Sequence, residues 1–334
     1  MSHMNIKRIV HRSMEELRAS MDIANNFSIK DAYIVLKAKV YIQLLSRGKQ
    51  TENSKIIDTL NKKHRIMLKY TNQKMSSFLK DYKWKPNLID VDERYQGKIW
   101  VCWWQGINEA PEIVKRCVES IEKNSGNHEV IIITDENYKK FVNFPEWLFE
   151  KKDKGVISRT HFSDLLRTEV LSNYGGVWLD STFFCTANID DLFNLPIWTI
   201  KRPNYGYSSV ACGQFANYSL GCDLEHRRFF GILRDFIIGY WKDNNEIIDY
   251  LLTDYFISLI LKYDKESRTL FNSIKPNNSE CDELFKVLGK KYDELKWMKM
   301  KEHTCLFKLS WKYEFPKSID DISTFFGKLL NFEL

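Results

Sequence analysis

Asp164, Arg167 and Asp180 are the residues of this chain whose types and spacing speak most directly of chemistry, within the stretch His161-Phe-Ser-Asp-Leu-Leu-Arg-Thr-Glu-Val-Leu-Ser-Asn-Tyr-Gly-Gly-Val-Trp-Leu-Asp-Ser-Thr182. Read physically, Ser163 caps a helix on which Asp164 and Arg167 stand at i and i+3, one above the other on the same face. Leu165, Leu166, Val170 and Leu171 bury the other side. Gly175-Gly176 supplies the left-handed residue that ends the helix and turns the chain, and a buried strand, Val177-Trp-Leu, delivers Asp180 to its carboxyl end. A nucleotide diphosphate leaves poorly until its charge is neutralised, usually by a divalent cation on such a strand-end carboxylate. A neighbouring Asp and Arg can fix sugar hydroxyls and a phosphate oxygen, Arg by bidentate contact. By residue type alone, the same three residues also read as an Asp–Arg pair that satisfies itself beside an ordinary strand-end carboxylate.

Those side chains need a scaffold, and the pattern around them supplies an alternating one. A strand is expected from Ile99 to Trp103, a helix from Pro111 to Asn124, a strand from Glu129 to Thr134 and a helix or loop past Tyr138. Strands spaced by helices imply crossover units and parallel pairing. Thr134 and Asp135 then fall at the carboxyl end of a strand, where open α/β sheets bind ligands. Helical periodicity returns in Phe229 to Tyr240 and Glu246 to Leu261. Upstream, Ser13 to Tyr82 has almost no glycine or proline and reads as two or three helices broken near Arg47-Gly48. The expected organisation is a helical region over 1–90, with residues 1–4 read as the remnant of an expression tag, and an α/β domain over 91–334 with a helical C-terminal part.

The chain of 334 residues is 44% hydrophobic, enough for a full core. No apolar run is long enough for a membrane-spanning helix and no secretory pattern appears, so a cytoplasmic location is expected. The seven cysteines are scattered without a C-x-x-C pair and read as reduced thiols. The net charge of +6 is concentrated in Lys62, Lys63, Arg65, Lys69, Lys74, Lys80, Lys83 and Lys85. This run is either a solvated helix face or a patch for phosphate on a lipid surface or nucleic acid. No nucleic-acid recognition motif accompanies it, so a nucleic-acid partner is not expected.

The Ser163-Asp164-x-x-Arg167 and Gly175-Gly176-Val-Trp-Leu-Asp180 segments, at this separation, closely resemble the sugar-binding and DxD regions of GT32-type glycosyltransferases, in particular the capsular polysaccharide synthesis protein family. The likeness takes in Ile99-Trp-Val-Cys-Trp-Trp-Gln-Gly and Ala110-Pro-Glu-Ile-Val-Lys-Arg-Cys upstream, and Asp254-Tyr-Phe and Lys308-Leu-Ser-Trp-Lys downstream, covering roughly residues 98 to 315. It implies a GT-A-like (Rossmann-like) mixed sheet flanked by helices, a nucleotide-sugar donor (a UDP-sugar being favoured), a manganese or magnesium ion, and transfer with retention of configuration. By the same match Asp164 and Arg167 contact the donor sugar, Asp180 is the first Asp of the DxD motif, and Trp103-Trp104-Gln105-Gly106 lines the nucleotide pocket. Thr134, Asp135, Gly175 and Gly176 are counted with the donor site. The expected acceptor is a saccharide or lipid-linked oligosaccharide of surface polysaccharide synthesis, reached from the inner face of an anionic membrane. The N-terminal helices are expected to brace the domain or form a homodimer.

One departure from the DxD pattern is plain. Thr182 replaces the second Asp, giving Asp-Ser-Thr, so that a hydroxyl ligand without charge stands where a carboxylate is expected. His303 or Asp254 is a candidate to complete the metal site, although a lone His among Lys and Glu also reads as a surface residue. Lys308 and Lys312, two residues either side of Ser310, are expected on one strand face, where they can neutralise a diphosphate. Trp103 or Trp104 is the candidate for stacking on a base or sugar, and Tyr205-Gly-Tyr-Ser-Ser with Cys212-Gly-Gln-Phe-Ala-Asn is expected to shape the acceptor side. Asp254 is a candidate base or acceptor contact. The competing readings are a non-catalytic scaffold of the same shape that has lost metal binding through Thr182, and a basic protein that binds nucleic acid or a membrane surface.

Overall fold

A computed structural model describes residues 21–46 and 48–334. The tag-like residues 1–4, the beginning of the N-terminal helical span and Arg47 lie outside the described residues; the break expected near Arg47-Gly48 is present, with Gly48 at φ of 64° between a helix that ends at Ser46 and one that begins at Ser54. Among those described, six helices reach twelve residues or more: α1 (Ile29–Ser46), α2 (Ser54–Lys74), α3 (Glu112–Lys123), α4 (Arg159–Tyr174), α5 (Arg228–Asp243) and α6 (Leu252–Tyr263). The strands that matter to the site are β1 (Ile99–Cys102), β2 (Val130–Ile133), β3 (Gly176–Leu179), β4 (Phe183–Cys185), β5 (Ile197–Thr199), β6 (Ser219–Cys222) and β7 (Leu306–Lys308).

Five strands form one sheet in the order β2-β1-β3-β6-β5. β2, β1 and β3 run parallel, as the alternating pattern predicts. β6 is antiparallel to β3 and β5 antiparallel to β6, so the sheet is mixed. The carboxyl ends of β1 and β3 therefore open on one edge, and Asp180 emerges there. β4 follows at once and pairs antiparallel with β7, 128 residues downstream of Asp180, in a separate two-stranded ribbon that aligns Phe183 with Lys308.

Helix α4 is the spine of the molecule, with every residue from Asp164 to Tyr174 buried. Its cap is Ser158, whose hydroxyl accepts from the His161 amide at 3.3 Å. Ser163, expected as the cap, lies a turn inside the helix and donates its hydroxyl back to the Arg159 carbonyl. The helix ends as expected, because Gly175 and Gly176 take φ of 64° and 89°, conformations that cost a side-chain-bearing residue heavily. At Gly176 a Cβ would also stand 2.3 Å from the Lys98 carbonyl oxygen, so β3 can approach β1 only through glycine.

The helix expected from Glu246 is shorter, beginning at Leu252. The residues before it are spent otherwise: the Glu246 carbonyl accepts from the Tyr240 hydroxyl, and Asp249 accepts from the Leu251 amide while pairing with Lys63. That last pair joins α2 to the rest. Lys63 and Asp249 meet at 2.9 Å with side chains 1% and 4% exposed, and His64 bridges the Tyr255 hydroxyl at 2.9 Å and the Tyr207 carbonyl at 3.0 Å. Burial, helped by the Lys63 charge, pushes the His64 pKa down to about 4 and keeps the ring neutral. One apolar cluster runs from Ile23 through Val35, Met67 and Tyr70 to Trp100, Leu165, Phe236 and Phe256. The N-terminal helices thus share their core with the α/β body across residue 90.

The basic run of the same region is not one uniform face. Lys63 is buried, Lys62 pairs with Asp58 and Lys74 with Asp22, while Lys69 lies over the Phe27 ring. No helix among the described residues is long and apolar enough to cross a membrane. All seven cysteines are free thiols, as expected.

Candidate active site

At the carboxyl edge of β1 and β3 lies a cleft of about 800 Å³. Asp164, Arg167, Asp180, Thr182, Asp254, Lys308 and Lys312 all line it, as do Trp103, Trp104 and Gln105. The loop 205–209 and the segment 213–217 close the opposite wall, through Tyr205, Ser208, Ser209, Phe215 and Asn217.

The three residues singled out by spacing converge on one guanidinium. Arg167 is buried at 4% exposure. Its Nη1 stands 3.2 Å from Asp164 Oδ1 and also donates to the Asn217 carbonyl, while Nη2 donates to Asp180 Oδ1 at 3.2 Å. Its plane lies 5.0 Å from the Trp178 ring centroid, which fixes the fork further. Asp164 is held from the other side by Asn217 Nδ2 at 3.2 Å and the Thr253 hydroxyl at 3.0 Å. Strand alternation brings Trp178 and Asp180 to one face of the chain, and the indole Nε1 donates to Asp180 Oδ1 at 3.2 Å. Asp180 Oδ2 takes the Lys308 ammonium at 2.9 Å. Burial works against its charge, but Lys308 and Arg167 together hold the Asp180 pKa below the usual carboxylate value.

Asp254, in the first turn of α6, is the second carboxylate of interest. It accepts from the Ser209 hydroxyl at 2.9 Å. Burial pushes its pKa up to about 7; the Ser209 bond lowers it by less, and the nearby Asp164 charge adds to the rise. The cleft therefore holds one carboxylate ionised throughout the neutral range and another that titrates within it, an arrangement typical of sites where charge is handled.

Three buried polar atoms on the cleft-lining residues have no hydrogen-bond partner: Arg167 Nε, Trp103 Nε1 and Asn217 Oδ1. Unsatisfied buried groups are costly in a folded protein. All three belong to residues that line the cleft, but each atom is itself closed off from solvent, so the groups that the cleft presents are others on the same residues.

Other residues expected at the site fall elsewhere. Gly175 and Gly176 sit at the start of β3, the end away from Asp180, where they admit close packing against β6 and β1. Gly106, Thr134 and Asp135 do not line the cleft. Asp135 stands behind it, pairing at 2.6 Å with Arg159, which does. β7 ends at Lys308, so Lys312 shares no strand face with it, although both reach the cleft from the two sides of a turn. His303, with 75% of its side chain exposed, lines a different pocket beside Asn204 and Asn277 and stands apart from Asp180.

A divalent ion of the magnesium type prefers about six oxygen ligands, mostly charged or water. Here Asp180 and Thr182 offer one carboxylate and one hydroxyl, and Lys308 donates to both, at 2.9 and 2.6 Å. Among the described residues no group of three or more His, Cys, Asp or Glu side chains is placed to hold a metal. The donor set does not fit a resident divalent cation.

Sequence reasoning passed over Thr253, Ser209 as the Asp254 partner, the Asn217 side chain, and the Arg202–Asp282 pair on the cleft wall, joined at 2.8 Å. Only the position of Ser209 and Asn217 in loops near the candidate acceptor side signalled them.

A mixed α/β sheet with helices on its faces, and a strand-end acidic cleft beside an Asp/Arg helix, define a protein of GT-A-like fold. A family model described as capsular polysaccharide synthesis protein matches residues 48–329, and the chain belongs to that family. That match begins upstream of α2. The chain is also similar to inositol phosphoceramide mannosyltransferase 3 of Schizosaccharomyces pombe (strain 972 / ATCC 24843), with 25% identity over 142 residues, 39% of each chain. It is similar to inositol phosphoceramide mannosyltransferase 2 of the same organism, 28% identical over 112 residues, 33% of this chain and 32% of the relative. The alignments thus span between about a third and two fifths of the relatives' length. No solved structure matches the chain.

Proposed function

We propose that the cleft binds a sugar nucleotide and transfers its sugar to a saccharide or lipid-linked acceptor in surface polysaccharide synthesis. The observation that carries this reading is the convergence of Asp164, Arg167, Asp180 and Lys308 in one ion-paired group that lines a single cleft. The relatives' names favour a mannosyl group. Arg167 and Lys308 face the diphosphate, Asp164 takes donor-sugar hydroxyls, and Trp103 or Trp104 packs on the base. The loop 205–209 and Asp254 meet the acceptor.

The chemistry is a displacement at the anomeric carbon. The bond from that carbon to the diphosphate oxygen breaks as a bond to the acceptor oxygen forms, and the acceptor proton passes to the departing phosphate. Such a front-face route retains configuration and needs no carboxylate beneath the sugar. Asp254, ionised on the alkaline side of about 7, accepts from the acceptor hydroxyl and orients it. The cationic groups stabilise the charge that develops on the leaving group.

A thermal-shift panel of UDP-, GDP- and CMP-sugars identifies the donor, since a ligand bound by the native state raises its apparent stability. Donor turnover is then followed by nucleotide release. Asp180→Asn is expected to keep the fold and lose turnover, because Arg167 and Lys308 lose the charge that fixes them. Full activity in that variant would show that the reaction takes place elsewhere.

A further inference from the structure

The ammonium of Lys308 occupies the position that the Asp-Ser-Thr motif would offer to a metal. β7 pairs with β4 so that Lys308 lies opposite Phe183, one residue beyond Thr182. The pairing is pinned on both sides, by Leu309 N to the Thr182 carbonyl at 2.9 Å and Lys308 N to the Cys281 carbonyl at 2.8 Å. From this fixed backbone the side chain passes the Phe183 and Tyr218 rings, with Nζ 5.3 Å from each centroid. It ends 2.9 Å from Asp180 Oδ2 and 2.6 Å from Thr182 Oγ1. An ammonium has three protons; two are spent here, leaving one for a ligand in the cleft that Lys308 lines.

Asp180 has little left to offer a metal. Its other oxygen already accepts from Arg167 and from Trp178, both at 3.2 Å. With Thr182 in place of a second carboxylate, Asp180 and Lys308 balance each other in charge. A divalent ion on Oδ2 would have to displace the ammonium or stand beside it, and like charges at that separation repel strongly away from bulk water. An added diphosphate has the opposite sign and finds Lys308 and Arg167 in place.

We propose, resting on the sugar-nucleotide reading above, that Lys308 is the diphosphate-neutralising cation of this site and that the protein binds nucleoside diphosphate without a divalent metal. The expulsion of the diphosphate then deposits its new negative charge beside a fixed ammonium.

The test is calorimetric titration of the full chain, stripped of metal by a chelator, with UDP and GDP, in EDTA and in excess manganese. One of the two nucleotides is expected to bind with the same affinity in both. Lys308→Met is expected to weaken that binding on the order of 10- to 100-fold, the worth of a hydrogen-bonded charge, while Lys308→Arg keeps most of it. Circular dichroism melts establish that each variant folds. As an independent readout, manganese titration followed by electron paramagnetic resonance is expected to find no site in the wild type, and a new one in Lys308→Asp, where a second carboxylate would join Asp180. Binding that appears only with manganese in a folded wild-type protein overturns this inference and leaves the sugar-nucleotide reading standing. Absence of nucleotide binding with and without manganese overturns both.

Discussion

Replacing Arg167 by lysine keeps the charge and removes the fork. The guanidinium serves three acceptors on two nitrogens, namely Asp164 Oδ1 and Asp180 Oδ1, both at 3.2 Å, and the Asn217 carbonyl. A lysine ammonium on a buried stem is a single point and can meet one of them well. Two contacts involving a charged group are lost, each worth about 1.5–3 kcal/mol. The retained charge recovers part of this, so the net cost is about 2–4 kcal/mol. In urea this lowers the unfolding midpoint by about 1 M for a slope of about 3 kcal/mol/M. The same range in transition-state stabilisation is a fall in kcat/KM of about 30- to 1000-fold. Denaturation monitored by tryptophan fluorescence and nucleotide release from the donor measure the two effects separately. A lower midpoint with an unchanged rate would confine Arg167 to the architecture of the cleft. An unchanged midpoint would refute the three-acceptor reasoning itself.

Asp254, with its pKa raised to about 7, binds a proton in the folded state that the unfolded chain has released well below neutral pH. Its contribution to stability is therefore full below the unfolded value, falls as pH climbs toward 7 and is level beyond. Asp254→Asn should flatten that decline in a series of thermal melts, and should remove a rising limb near pH 7 from the activity profile; a wild-type-like limb would take Asp254 out of the reaction. Lys63→Met should destabilise the whole protein by about 3–5 kcal/mol by leaving the Asp249 carboxylate buried without its partner, which chemical denaturation reads directly; a cost below about 1 kcal/mol would show that the pair is not what ties α2 to the body. Gly176→Ala should lower the melting temperature sharply, since the new Cβ meets the Lys98 carbonyl and φ is 89°. A normal melting temperature with lost donor binding would return Gly176 to the ligand site.

The parts of the site that depend on local geometry were legible in the chain. Three residues along a helix place Asp164 over Arg167, a glycine pair ends the helix, and four strand residues carry the chain to Asp180; each step follows from the period of a helix or strand. The strands from Ile99 and Glu129 were legible for the same reason. Helix starts were not: Ser158 and Ser163 are both plausible caps, and the tertiary contact of Trp104 Nε1 with Ser163, at 3.0 Å, accompanies the choice of Ser158.

Lys308 and Asp254 were already expected at the site, but which partner each of them meets was settled by tertiary packing. Lys308 reaches Asp180 through the pairing of β7 with β4, and a register across 128 residues leaves no periodic trace in the chain. His303 fell away because an exposed position costs a histidine nothing, so its residue type carried no information about place. Lys63 looked like one more solvated lysine until Asp249 came to meet it inside the core. The near-neutral titration of Asp254 likewise arises from removal of water around it, a property of the assembled fold that no stretch of sequence contains.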